Sequence, residues 1–124
     1  MLLRTAAIVT ASAALAGSLL AGGGVASAAP VCDTGPSAAD IATTVDPHSN
    51  LRVSPGLRST INCTTDRLTG INVICWVHGA FYDDGHTSTD VWYYGTIGPR
   101  TPYSYVWGGN VNTQHDPPPG LREC

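Results

Sequence analysis

The sequence predicts a small all-β barrel of five to six short strands, held by disulfides. Three observations carry that expectation. Beyond residue 50 the chain is a series of short apolar runs punctuated by Pro, Gly, Asp and Ser, the spacing of strands and tight turns. The clearest run, "INVICWVHG", alternates with period two and is rich in β-branched residues, which a helix does not favour. Four cysteines, Cys32, Cys63, Cys75 and Cys124, are an even number in a chain that opens like an exported precursor.

The elements follow in order. "MLLRTAAIVTASAALAGSLLAGGGVASAAP" has one cation, Arg4, then an uncharged Ala/Leu/Val run that ends on the small residues Ala26-Ser27-Ala28. This is the pattern of a cleaved secretory signal peptide over residues 1–28. Gly22-Gly23-Gly24 breaks the run short of the roughly 20 apolar residues a membrane span needs. A lipoprotein box would need a cysteine where Gly23 stands. Residues 29–49 read as an N-terminal arm pinned by Cys32, with one helical turn over "PSAADIATT" capped by Ser37. The folded domain spans 50–124.

Within it, "LRV" is a brief strand, and Pro55-Gly56 turns the chain. "TINCTT" is the next strand. "INVICWVHG" follows, with Ile71, Val73, Cys75 and Val77 expected on one face and Asn72, Ile74, Trp76 and His78 on the other. A decorated loop from His78 to Asp90 leads into the strand "DVWYYGTI". "YSYVW" puts Tyr103, Tyr105 and Trp107 on one face and Val106 on the other. The three prolines from Pro117 end regular pairing and begin a tail.

A mature chain of under a hundred residues is one domain, and marginal without crosslinks. Three pairings of the four cysteines are open. A bridge closing a loop of about fifty residues contributes about 4 kcal/mol in the chain-entropy picture. With Arg4 in the leader, five of the six cations remain against nine acids, a net charge of minus four. There is no basic patch to neutralise phosphates, so nucleic acid and anionic membrane surfaces are poor partners.

Several of these segments are similar to bacterial SH3-like (SH3b) domains of the short secreted actinobacterial type. "NLRVSPGLRST" resembles the family's opening L-N-V-R-S-G-P-G, and "GINVICW" its G-x-x-V-x-V-x-C strand. "TDVWYYG" resembles T-x-W-Y-K-V, and "YVWGGNV" resembles Y-V-S-D-A-Y-V. "PPPGLREC" is similar to a Pro-rich, cysteine-ended tail. The resemblance covers residues 50–124. It departs at Gly95, where the family usually carries an apolar residue, at Gly108, which replaces a polar one, and at Asn110, which replaces an aromatic. It implies an SH3-like barrel and a non-catalytic role in binding cell-wall or other extended peptides. It also implies a Cys75–Cys124 bridge, which leaves Cys32–Cys63 as the second.

The stretch "HGAFYDDGHTSTDVWYYG" is where chemistry would sit. His78, Asp83, Asp84 and His86 are metal-ligand types, but a zinc site needs three or four converging at about 2 Å. The simpler reading is that Asp83-Asp84-Gly85 makes a turn with histidines on its rim. A thiolate nucleophile at Cys63 or Cys75 beside His78 or His86 requires a free cysteine, against the expected fate of exported thiols. Asp84 and Asp90 could form a carboxylate pair, but so small a barrel offers no glycosidase cleft. No G-x-S-x-G elbow occurs.

The strongest binding feature is aromatic. Tyr82, Trp92, Tyr93, Tyr94, Tyr105 and Trp107 are the candidate ligand-binding residues, with Trp92 and Tyr93 on opposite faces of their strand. The sequence is therefore read as a secreted or cell-wall-associated monomer, not an enzyme, without metal or cofactor. It would bind a peptide or peptidoglycan fragment and leave the membrane after cleavage. A secreted inhibitor or toxin-like effector acting on an extracellular protein is the alternative.

Overall fold

The computed structural model describes residues 29–33 and 41–124. The expected leader and part of the expected helical turn lie outside those residues. Six antiparallel strands form one curled half-barrel sheet: β1 (Ile41–Val45), β2 (Asn50–Arg52), β3 (Ile61–Thr64), β4 (Thr69–Asp83), β5 (Ser88–Thr96) and β6 (Ser104–Trp107). The spatial order is β1-β4-β5-β6-β2-β3. A single 3-10 turn, Gly108–Asn110, follows β6, and there is no α-helix among the described residues.

The curl brings the ends of the sheet toward each other. Val45 at the close of β1 bridges Val111, just beyond the 3-10 turn. Asp46 N–H donates to Asn110 O at 2.9 Å and Asn112 N–H to Thr44 O at 2.8 Å, so the outer edge of β1 is not left bare. At the opposite edge, Cys32 N–H donates to Thr64 O at 3.0 Å and Thr64 N–H to Pro30 O at 2.9 Å, which covers β3.

Two expectations are corrected in the arm. Ile41–Thr44 is strand rather than part of a helical turn. The alternation of Ile41, Thr43 and Val45 with Ala42 and Thr44 suits a pleat better than the helix-forming Ala38-Ala39-Asp40 before it suggests. The segment read as a lead-in arm thus supplies an edge strand of the sheet, paired with β4 from Ile41↔Val73 to Val45↔Thr69.

The face assignment on β4 is also corrected. Val73 pairs with Gly95, but Cys75 pairs with Tyr94, so Ile74 is an extra residue in β4. A bulge of one residue moves everything after it to the other face. Ile71 and Val73 belong to the core cluster with Val45, Leu51, Val91, Tyr93, Ile97 and Val106, whereas Cys75 does not. Beyond the bulge, Trp76 shares a face with its partner Tyr93 and packs against the core, while Val77 shares a face with Trp92. Gly95 sits at this kink because a Cβ there would run into the Asn72 carbonyl. The departure from the SH3b pattern at this position therefore has a steric reason.

The two disulfides are Cys32–Cys63 and Cys75–Cys124, the pairing implied by the resemblance. Closing 31- and 49-residue intervals, they are worth about 4 kcal/mol each in the chain-entropy picture. The second ties the tail to β4, where Trp76 N–H donates to Arg122 O at 3.1 Å and Cys124 N–H to Trp76 O at 2.8 Å. No helix among the described residues is long and apolar enough to cross a membrane.

Candidate functional site

The loop expected between His78 and Asp90 is mostly hairpin. β4 runs on to Asp83 and β5 begins at Ser88, so only four residues turn the chain. The turn uses its acids locally. Asp83 Oδ1 accepts from Gly85 N–H at 2.8 Å, and Asp84 Oδ1 accepts from His86 and Thr87 N–H, both at 2.8 Å. Gly85 takes the positive φ of +92° that such a turn needs. The donated N–H groups of Thr87 and His86 hold the Asp84 carboxyl below its ordinary range.

His78 lies well away from the turn. It is opposite Val91, five residues along β4 from Asp83, a spacing of roughly 15 Å at the usual strand rise. Its Nδ1 is 3.1 Å from Asp90 Oδ1, and its ring stands edge-on to Trp76 with centroids 5.1 Å apart. The quartet His78, Asp83, Asp84 and His86 therefore does not converge, and no group of three metal-ligating side chains is gathered among the described residues. All four cysteines are bridged, which removes the thiolate that the nucleophile reading required.

The aromatic candidates fall into three environments. Tyr93 points inward. It is fully buried in the core cluster, and its hydroxyl donates to Asp116 Oδ1. Burial and that carboxylate push the Tyr93 phenol well above its ordinary value. Tyr93 is thus a core residue and is withdrawn from the candidate ligand contacts.

Tyr94 and Tyr105 point outward. They are cross-strand partners with centroids 4.7 Å apart, and Tyr103 stacks obliquely on Tyr94 at 5.7 Å.

Tyr82, Trp92 and Trp107 come together in an open groove of about 450 Å³, in the range of small-ligand sites. Trp92 and Trp107 face each other across β5 and β6. Each indole is fixed by the main chain of the hairpin: Trp92 Nε1 donates to Ala80 O at 2.8 Å and Trp107 Nε1 to Thr89 O at 3.0 Å. Tyr82 stands edge-on to Trp107, centroids 5.1 Å apart and planes at 86°. Trp92 lies on the outward face, as alternation requires, and is nevertheless only 1% exposed. The cover is the segment after β2: Ala80 N–H donates to Pro55 O at 3.1 Å, and a Cβ on Gly79 would lie 2.5 Å from that oxygen and 2.6 Å from Trp92 Cδ1.

The remaining wall was not among the expected residues. Asn50, Arg52, Leu57 and Asn110 line the same groove, along with Asp84 from the turn. Asn50, Arg52 and Leu57 arrive because β2 is inserted beside β6, with Arg52 opposite Tyr105, and Asn110 follows β6 in the 3-10 turn. Arg52 Nη1 donates to Ser59 O at 2.7 Å, and partial burial lowers the guanidinium from its ordinary value while leaving it a cation. The groove so assembled has a fixed aromatic floor, one exposed tyrosine wall, two amides, a cation and an anion. Comparison of the chain with family models, with curated proteins and with solved structures found no match.

Proposed function

We propose that this chain is a secreted, monomeric, non-enzymatic binding module whose groove holds an extended peptide, with the peptide portion of a cell-wall fragment as the leading case. The groove of Tyr82, Trp92 and Trp107 is the observation that carries the reading. The exposed Tyr82 ring presents an apolar face, backed by the buried Trp92 and Trp107 indoles whose N–H groups are already satisfied, and Asn50 and Asn110 beside them offer donors and acceptors to a passing main chain. The leader pattern and the two bridges support export. The ordered likeness of residues 50–124 to SH3b segments, together with a curled all-β sheet, supports membership of that family. The test is sedimentation of the purified chain with insoluble peptidoglycan, paired with tryptophan emission on titration with soluble fragments. Retention in the pellet and a saturable emission change are expected. Absence of both overturns the reading.

One observation favours the alternative of an inhibitor or effector. Phe81 is 65% exposed beside Tyr82 near the hairpin tip, a ring that a partner protein could cover. Under that reading Phe81→Ser abolishes co-purification with an extracellular protein and leaves peptidoglycan retention untouched.

A further inference from the structure

The groove is polar along its length as well as apolar in its floor. Asp84 belongs to the hairpin turn beyond Tyr82, and Arg52 sits opposite Tyr105, two residues along β6 from Trp107. The two charges thus come from the hairpin turn and from β2 and line the same groove. Arg52 is engaged by Ser59 O. Asp84 uses Oδ1 for the turn, and no hydrogen bond to its Oδ2 occurs among the described residues.

From this geometry, and resting on the peptide reading above, we infer that the Asp84 end of the groove is a subsite for a primary ammonium on a lysine-type side chain of the bound peptide, held between the carboxylate and the exposed ring of Tyr82. The chemistry is that of cation–π recognition, in which an electron-rich ring face and a carboxylate replace part of the hydration of a cation. The complement of charge agrees: the chain carries six cations, all arginine, against nine acids. The cation that lines the groove, Arg52, suits the carbonyls or carboxylate of the same ligand. An acidic side chain or a phosphate is disfavoured at the Asp84 end by the same carboxylate.

The experiment uses the disulfide-intact chain and two pentapeptide amides, acetyl-Ala-Ala-Lys-Ala-Ala and its Nε-acetyl-lysine counterpart, followed by tryptophan emission. The free amine is expected to bind at least tenfold more tightly. In Asp84→Asn the amide oxygen can still accept from His86 and Thr87, so the turn is kept, and the preference is expected to fall to within about twofold, with an unchanged melting curve as the control. Equal binding of the two peptides by the parent chain overturns the ammonium subsite and leaves the peptide reading standing. No binding of either at millimolar concentration overturns both. A preference that survives Asp84→Asn overturns the role given to this carboxylate.

Discussion

Tyr93 and Tyr94 are neighbours in one strand and belong to different parts of the molecule. Tyr93 faces the inside of the curl, fully buried among aliphatic side chains, its hydroxyl tied to Asp116. Tyr94 faces outward, half-buried against Tyr103 and Tyr105. The same division runs through the sheet. The inner face is mostly Val, Leu and Ile and supplies cohesion; the outer face carries the rings, arranged edge-on or tilted, and supplies shape. Burial alone does not separate them, because Trp92 on the outer face is as inaccessible as Val73 on the inner one, each 1% exposed. What separates them is what they touch: inner residues touch each other, whereas Trp92 and Trp107 are fixed to backbone carbonyls of the hairpin and border the groove.

Substitutions that attack the two faces sharpen this contrast. Replacing Cys75 and Cys124 together by Ala releases the tail and relaxes the unfolded chain's constraint, and should lower stability by about 4 kcal/mol in urea unfolding. A loss under about 1 kcal/mol would show that the tail is held by its hydrogen bonds instead. Leu51→Ala opens a void at a fully buried inner position and should cost about 3 kcal/mol by the same measurement. The outward Tyr103→Ala, at a ring 49% exposed, should stay within about 0.5 kcal/mol. If the two costs were comparable, the division between faces would fail.

Between these in size is Tyr93→Phe, which keeps the ring and removes the hydroxyl bonded to Asp116, at a cost of about 1 kcal/mol near neutral pH. It also carries a pH signature. The phenol is raised in the folded protein, so the unfolded chain loses this proton first. The stability linked to it is complete below the ordinary tyrosine value of about 10 and drains away as pH climbs toward the higher folded value. Urea midpoints from pH 8 upward should fall in the parent chain and fall less steeply in Tyr93→Phe. Parallel slopes would remove Tyr93 as the cause.

Much of this was legible in the sequence. β5 and β6 pair without a bulge, so simple alternation put Trp92 and Tyr93 on opposite faces and Tyr105 with Trp107. On β4 the same rule failed after Val73, because the extra residue at Ile74 is a matter of pairing with another strand, and nothing in "INVICWVHG" marks it. Gly95 was the one available hint, a small residue in an otherwise bulky strand. The hairpin turn was readable from Asp83-Asp84-Gly85, since those residues satisfy their own backbone. Asn50, Arg52 and Leu57 were not readable as groove residues: they reach Trp107 only because β2 lies next to β6, more than fifty positions away in the chain. Tyr82, Trp92 and Trp107 were found as aromatics, and their meeting was decided by topology.

The three indoles are moored to three separate stretches of main chain: Trp76 to Leu121 O at 3.2 Å, Trp92 to Ala80 O at 2.8 Å and Trp107 to Thr89 O at 3.0 Å. Nature has thereby installed its own optical gauges. Retaining one indole at a time, with phenylalanine at the other two, would let light emission report separately on the loosening of the tail, of the strand entering the hairpin and of the strand leaving it. The order in which those signals change on heating would reveal which seam of the sheet parts first.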